Sequence, residues 1–362
     1  MRILPGRPAR SLDFPDAVDL EEEMEDAAFV SMSAVVVNYN GGSDLIRCLE
    51  SLERQPGLHE IIVVDNDSQD GSLELARQGH PSVRFIARGS NDGYGTAANE
   101  GALDATADAL LFLNPDVVLD DGCVEALTAA LVERPGVVGP LLRLDESDRE
   151  FGATVDILGM PRGLQEPGSP LYVHGCALAT TTSVFTRVGG FDPRYFLFME
   201  DAELCWRALI AGYEVSICAA GTGWHRGGGS IPGGYIRGDV VTTTETRVVL
   251  RERNGLTMFL ACAPTGWLPA LVALHVLKTL GVAAAAAVLL RRPRLARRLV
   301  KGIWWNVRNV PASLERRRAV DRDRGARRRA FRRIARRSNA LTVLRRYGLP
   351  RFVETPPQLE ER

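Results

Sequence analysis

Three carboxylates crowd into four positions of this chain, Glu200, Asp201 and Glu203. They lie between an aromatic run (Tyr195, Phe196, Phe198) and a helical pattern that continues to Ala211-Gly212. Glu200 and Asp201 fall where that helix should begin, and free backbone N–H groups and the helix dipole favour anions there. Adjacent carboxylates repel each other, so one of them stays basic enough to take a proton, which is the chemistry of a general base. An acidic first helical turn with an ordinary capping role accounts for the same residues and stays open at this point.

Other chemistry-bearing residues sit at the ends of short apolar runs. Ser33-Ala34-Val35-Val36-Val37 leads into Asn38-Tyr39-Asn40, and Ile61-Ile62-Val63-Val64 leads into Asp65-Asn66-Asp67-Ser68. Ala109 to Leu113 leads into Asn114-Pro115-Asp116. Residues two apart on an extended chain share a face, so Asn114 and Asp116 can meet one hard cation; a turn started by Asn-Pro is the alternative. Asn91-Asp92-Gly93-Tyr94-Gly95 is a Gly-rich loop running into a helix that carries Asn99, and glycines there allow close backbone approach to a ligand. His225, before Gly227-Gly228-Gly229-Ser230, reads as a metal or phosphate ligand on a loop, or as a structural histidine.

The elements that must position these residues alternate. Buried strands are expected at 33–38, 60–65, 83–86 and 109–113, with helices at Asp44 to Arg54 (Leu45, Cys48, Leu49 and Leu52 inward) and Ser72 to Gln78. That β-α-β-α-β order predicts a mostly parallel α/β sheet with helices on both faces and ligands at the carboxyl ends of the strands. A helix from Asp121 to Glu133 and a strand from Gly136 follow, then an irregular loop over 145–170, a strand over 172–180, a helix from Phe185 and a last strand over 212–217. No Gly-x-Gly-x-x-Gly follows the first strand and no Walker lysine is present, which disfavours a dinucleotide fold or P-loop. The six cysteines form no Cys-x-x-Cys pair and read as reduced thiols, not as a disulfide frame or zinc site. The N-terminus carries no apolar core of a signal peptide, and no internal repeat is visible.

The ordered set Val37-Asn38-Tyr39-Asn40, Val64-Asp65-Asn66-Asp67-Ser68, Asn91-x-Gly93 to Asn99-x-Gly101, Asn114-Pro115-Asp116, Gly189-Gly190-Phe191-Asp192, Glu200-Asp201-x-Glu203-x-x-x-Arg207 and His225 resembles family-2 glycosyltransferases of the GT-A fold, nearest their rhamnosyltransferase-like branch. The resemblance covers about residues 33–260. It implies that Tyr39 and Asp65 hold a nucleotide base and that Asn91 and Asn99 line the nucleotide pocket. Asn38, Asn40, Asp67 and Gly93 fall in the same nucleotide-binding motifs. Asp116 would reach a divalent cation (Mg²⁺ or Mn²⁺) on the diphosphate of a nucleotide-sugar donor, with Asn114 beside it and His225 as a further metal or diphosphate contact. Asp201 would be the catalytic base, and Glu200 an acceptor- or loop-positioning group. The family's metal motif is usually Asp-x-Asp, and Asn114 replaces its first acid. The implied activity is an inverting transfer, possible with L-rhamnose, to a lipid-linked or cell-envelope glycan. A sugar nucleotidyltransferase would need a basic residue in a Gly-rich loop near the first strand, and Asn40-Gly41-Gly42-Ser43 offers none. A non-catalytic carbohydrate- or membrane-binding module would not need Asp116, Asp201 and His225.

The net charge of −1 over 362 residues hides an asymmetry: from Arg291 to Arg346 about twenty basic residues face three acidic ones. Before them, Trp267 to Leu290 is nearly uncharged and, at about 36 Å as a helix, long enough for a bilayer core of roughly 30 Å. Lys278, His275 and Pro269 bring its insertion balance near zero, so spanning, interfacial and buried soluble helices are all open. Leu295, Leu299, Ile303, Val307, Val310 and Leu314 recur at helical spacing among Arg294, Arg297, Arg298, Lys301 and Arg308, with Trp304 and Trp305 of interface type. This predicts a basic amphipathic helix at an anionic membrane surface, extended by the Arg-rich run 316–337. A nucleic-acid arm is disfavoured because no recognition fold accompanies it. The expected organisation is a disordered tail over 1–32, a GT-A domain over 33–260, a helical membrane-associated region over 261–346 and a tail over 347–362, working at the cytoplasmic face of the plasma membrane.

Overall fold

The computed structural model describes residues 31–144, 149–227, 236–237, 240–320, 324–335, 348 and 350–354. The expected tail over 1–30, Gly228-Gly229-Ser230, Arg336, Arg337 and most of the expected tail from 347 lie outside them. In chain order the first elements are β1 (Met32–Asn38), α1 (Gly42–Glu53), β2 (Leu58–Asp65), α2 (Ser72–Gly79), β3 (Arg84–Ala87), α3 (Tyr94–Asp104), β4 (Ala109–Leu113), β5 (Val117–Leu119), α4 (Cys123–Glu133) and β6 (Gly136–Arg143). Then come β7 (Arg149–Glu150), β8 (Ala153–Val155), β9 (Pro161–Gly163), β10 (Ala177–Thr181), α5 (Thr182–Arg187), α6 (Glu200–Ile210) and β11 (Glu214–His225). The last are β12 (Ile236–Arg237), β13 (Val240–Thr243), α7 (Glu245–Cys262), α8 (Leu268–Val288), α9 (Pro293–Ala319), α10 (Arg324–Phe331) and β14 (Arg351–Phe352). The described residues form two compact units, one within residues 1–149, 174–196 and 216–225 and the other within residues 150–173, 197–215 and 226–362.

The first unit is built on a sheet of order β3-β2-β1-β4-β10-β6-β11-β5. β3, β2, β1 and β4 run parallel, as the alternation of strands and helices requires. β10 joins β4 and β6 antiparallel, and β11 joins β5 antiparallel, so the far half of the sheet is mixed. β1 is buried along its whole length, and Leu45, Cys48, Leu49 and Leu52 of α1 are fully buried beneath it with Leu111, Leu113 and Leu127. Parallel strands buried on both faces read as continuous apolar runs, which is why this half was legible.

Several boundaries differ from expectation. The stretch 149–170 holds β7 and the β8–β9 hairpin and is not wholly irregular. β10 starts only at Ala177, and α5 starts at Thr182, where the Thr181 hydroxyl accepts from Val184 N–H at 3.2 Å and caps it. Asn114-Pro115-Asp116 is a turn, with Val117 N–H donating to Asn114 O at 3.3 Å, so its two polar side chains do not share a strand face. His225 is the last residue of β11, paired with Val117, and does not sit on a loop.

The second unit packs α6 with the C-terminal helices. Trp206 of α6, fully buried, stacks on Phe331 and meets Phe259 edge-on. Val249, Ala283, Ala286, Leu295 and Leu299 form the core of α7, α8 and α9. In α8 the polar residues face inward. His275, 1% exposed, contacts Leu158 O and Glu252 O, and Lys278 Nζ reaches Glu252 Oε2 at 2.9 Å and Leu158 O at 2.8 Å. Leu274, Leu277, Leu280 and Val288 face outward. The buried stripe of α9 is Leu295, Leu299, Gly302, Asn306, Ser313 and Arg317, whereas Val307 of the expected stripe is exposed. The Arg-rich run is also partly internal: Arg317 donates to Ala263 O and Arg327 to Ala261 O and Cys262 O, satisfying carbonyls at the end of α7.

Candidate functional site

In the first unit, the polar residues at the carboxyl ends of the strands form one hydrogen-bonded cluster. Asn38 closes β1 and Asp65 closes β2, in register with each other. The Asn38 amide donates to Asp65 Oδ1 at 2.7 Å, Ser68 Oγ at 3.1 Å and Ser72 Oγ at 3.0 Å. Asp65 Oδ2 accepts from Ser68 N–H, and Asn40 Oδ1 accepts from Gln69 N–H. Asn40 and Asp67 both hold left-handed backbone, with φ of 52° and 66°. Such strain in short polar residues persists where surrounding bonds over-determine it, and it concentrates at ligand sites. Gly41 is required beside them, since a Cβ there would overlap Asn38 Oδ1. Tyr39 is half-buried at the same edge.

The Gly-rich loop is tied to this edge by Asn66, inside the Val64–Ser68 motif but given no role there, and by Arg88, which lies in none of the motifs. Asn66 Nδ2 donates to Asn91 Oδ1 at 2.9 Å and to Gly93 O at 3.3 Å. Arg88 donates to Asn66 Oδ1 at 2.7 Å, to Glu100 Oε2 at 2.8 Å and to Asp92 Oδ2 at 3.3 Å. Gly93, at φ of 95°, lies where any side chain would strike Phe196 O, and Tyr94 N–H donates to that same oxygen. Asn99 is bonded to the Phe191 loop. Its amide donates to Phe191 O at 2.8 Å and its oxygen accepts from Phe191 N–H at 2.9 Å, so it binds the Phe191 loop to α3.

Asp116 and His225 come together although 109 positions separate them, because β5 and β11 pair. His225 Nε2 lies 3.5 Å from Asp116 Oδ1, and both side chains are largely buried. Burial acts against the imidazolium, but the neighbouring Cys176 Sγ and the Asp116 carboxylate outweigh it and raise the His225 pKa. His225 Nδ1 is buried with no hydrogen-bond partner among the described residues. A carboxylate oxygen and an imidazole nitrogen side by side are donors that suit a divalent cation. Asn114 stands in the same turn and is half-buried.

In the second unit, the three carboxylates of α6 have separate environments. Glu203 is fully buried and holds Arg207 through two short bonds of 2.6 and 2.8 Å. Asp201 is half-buried, and its Oδ1 accepts from Ala202 N–H at 2.7 Å. Glu200 is 6% exposed, and its Oε2 has no hydrogen-bond partner among the described residues. Burial and then the Asp201 charge push the Glu200 pKa up to about 8. Of the two, Glu200, the member not assigned as base, is the one whose hold on a proton is strengthened. Tyr172 stands near Asp201; burial and that charge raise its pKa well above the ordinary phenol value.

The chain is similar to known proteins. The glycosyl transferase family 2 profile matches residues 33–185. N-acetylglucosaminyl-diphospho-decaprenol L-rhamnosyltransferase of Mycobacterium tuberculosis is 34% identical over 222 residues, covering 50% of this chain and 71% of that protein. Rhamnosyltransferase WbbL of Escherichia coli is 30% identical over 213 residues, covering 51% of this chain and 79% of that protein. Among solved structures, GalNAc-T7 with UDP, GalNAc and Mn²⁺ superposes at a TM-score of 0.53 with 16% identity, over 69% of this chain and 52% of that one. That last likeness is one of fold.

Proposed function

The chain belongs to glycosyl transferase family 2 and is a sugar-transferring enzyme of the GT-A fold, and on that premise we propose that it moves L-rhamnose from a nucleoside-diphosphate donor to a lipid-linked glycan acceptor, inverting the anomeric carbon. The observation that carries this reading is the convergence of Asp116 and His225, whose Nε2 lies 3.5 Å from the carboxylate, in the unit whose strand ends hold Asn38 and Asp65. The names of the two rhamnosyltransferase relatives support the sugar, and the diphospho-decaprenol acceptor of one supports the lipid link.

The strand-end cluster binds the nucleotide: Tyr39 and Asp65 take the base, and the Asn91–Gly93 loop lies against the ribose and phosphates. Asp116 and His225, with Asn114, would hold Mn²⁺ or Mg²⁺, and His225 must lose its proton to ligate. When bound, the cation neutralises charge that develops on the departing diphosphate. The acceptor hydroxyl attacks the anomeric carbon from the face opposite the leaving group, and Asp201 takes its proton. General-base assistance of this kind contributes roughly 10²–10⁴ in rate. Glu200 is buried beside Asp201, and that burial and charge favour its neutral form.

The acceptor is met at an anionic membrane surface, on the cytoplasmic face. Outward residues of α9 support this. Val300, Trp304 and Val307 form an exposed apolar stripe, and the exposed Arg294, Arg297, Lys301 and Arg308 form a basic stripe beside it on the same helical arc. α8, the one helix among the described residues long and apolar enough to cross a membrane, adds the exposed Leu274, Leu277 and Leu280. Truncation before α8 would remove Phe331 from Trp206, so surface substitutions are the cleaner probe.

The deciding experiment is turnover of deoxythymidine-diphosphate-L-rhamnose and other nucleotide sugars by the full chain, with and without Mn²⁺. Turnover confined to the rhamnose donor and dependent on the metal is expected. Selective turnover of a different nucleotide sugar would overturn the choice of rhamnose. For the membrane, the chain should sediment with phosphatidylglycerol vesicles and less so at high salt. Trp304→Ser with Leu277→Ser should reduce that binding, and unchanged sedimentation would remove this face from the reading.

A further inference from the structure

The turn that launches α6 is held in an unfavourable backbone conformation. Phe198 and Met199, directly before Glu200, have φ of 69° and 72°, a region that bulky L-residues seldom occupy. Something outside the turn must hold it there. One face of α7 does so. Asn254, 1% exposed, donates both N–H groups of its side-chain amide to consecutive carbonyls, Leu197 O at 2.9 Å and Phe198 O at 2.8 Å. Arg247 and Arg251 place their guanidinium groups over the Phe198 ring, 4.5 and 5.4 Å from its centroid. Positions 247, 251 and 254 are spaced i, i+4, i+7 and so share one helix face.

Asn254 is itself held. The Asn254 Oδ1 accepts from Arg253 Nε at 2.9 Å, and the Arg253 carbonyl accepts from Thr257 Oγ1 and from Asn306 Nδ2 of α9. Glu200, by contrast, has a buried oxygen with no partner. No bond from that oxygen sets where the Glu200 carboxyl lies, so the backbone of the turn must set it, together with the position of Asp201 one residue later.

We propose that Asn254 is a positioning residue for the catalytic acid pair: its amide clamps the Leu197–Phe198 carbonyls and so fixes Asp201 for proton transfer. The inference rests on Asp201 being the base. Only an amide suits the task, because the clamp needs two donors in one plane; aspartate would set oxygen against oxygen and alanine would leave both carbonyls unbound.

The test uses the full chain with deoxythymidine-diphosphate-rhamnose and Mn²⁺, read as kcat and donor KM, with hydrogen–deuterium exchange over residues 197–203. Asn254→Ala and Asn254→Asp should each lower kcat at least about tenfold, since misplacement of a reacting group by an ångström costs on that order or more. Donor KM should stay within about twofold, because the nucleotide-binding residues lie on other elements. Exchange should quicken over 197–203, and Asn254→Gln, which retains the amide, should recover part of kcat. Unchanged kcat in both variants, or a loss carried by KM, would overturn the clamp, as would unaltered exchange over the turn. Asn254→Gln also keeps the test decisive if the alanine variant does not fold. Asp201→Asn is run alongside. If it turns over normally, the base assignment fails, whereas the exchange data still decide whether Asn254 holds the turn.

Discussion

The strand-end cluster of the first unit and the acidic turn of the second unit solve the same problem by opposite means. At the strand ends the side chains are tied to one another through their amides, Asn38 Nδ2 to Asp65, Ser68 and Ser72 and Asn66 Nδ2 to Asn91, although Asn38 Oδ1 is buried with no partner among the described residues. At the acidic turn the backbone is left-handed, Glu200 is buried with an unpartnered oxygen, and the turn depends on Asn254 from another helix. A binding surface benefits from satisfied bonds that keep it rigid. At the acidic turn burial beside a like charge instead raises the pKa of Glu200, the neighbour of the proposed base.

The comparison breaks most readily at Asp116. Asp116→Ala removes the one formal charge of the Asn114-Pro115-Asp116 turn, and we expect loss of transfer together with metal-dependent nucleotide binding. Calorimetry showing full metal-dependent binding in this variant would take Asp116 out of the site. Asp201→Asn should lower turnover roughly a hundredfold or more with donor affinity nearly unchanged, which would separate the two units by function. Glu203→Gln is not a silent control. Glu203 and Arg207 are both fully buried, and breaking such a pair costs about 3–5 kcal/mol, so its expected effect is on melting temperature and expression. Asp65→Ala should weaken nucleoside-diphosphate binding and should also loosen Asn38, whose amide would lose its shortest bond. An unchanged dissociation constant would leave Asp65 a purely structural strand end.

The two regions were not equally legible. The strand ends could be read because buried parallel strands are continuous apolar runs and polar residues after them mark the ligand edge. The position of Asp201 was legible as a helix start. What escaped was anything whose partner is a distant backbone group or a distant strand. Arg88 and Asn66 act through each other and through the Gly93 loop. Asn254 acts on carbonyls 56 and 57 residues away. His225 looked like a loop residue because glycines follow it, yet β11 extends to it through pairing with β5. In α9, hydropathy grouped Val307 with Leu295 and Leu299 on one membrane-surface stripe, while the structure buries Leu295 and Leu299 with Asn306, which bonds to α7, and Arg317, which bonds to its end, and leaves Val307 exposed. Hydrophobic periodicity cannot identify a helix face that is buried through hydrogen bonds.

The smallest expected effect concerns Glu200 and sharpens the contrast without touching the base. Its folded pKa of about 8 stands above the ordinary carboxyl value of 4.5. Between those values the folded chain holds a proton that the unfolded chain has released. The contribution of Glu200 to stability is therefore fully present below about 4.5, declines as pH rises, and is lost once pH passes about 8. Glu200→Gln keeps a neutral side chain of the same size at all pH values. The melting temperature of the variant should match the parent at the acidic end of that window. It should exceed the parent's by a margin that widens with pH and levels off above about 8. Thermal melts at a series of pH values measure this directly. A constant difference across the window would mean that Glu200 ionises at its ordinary pKa, and burial beside Asp201 would then not shift it.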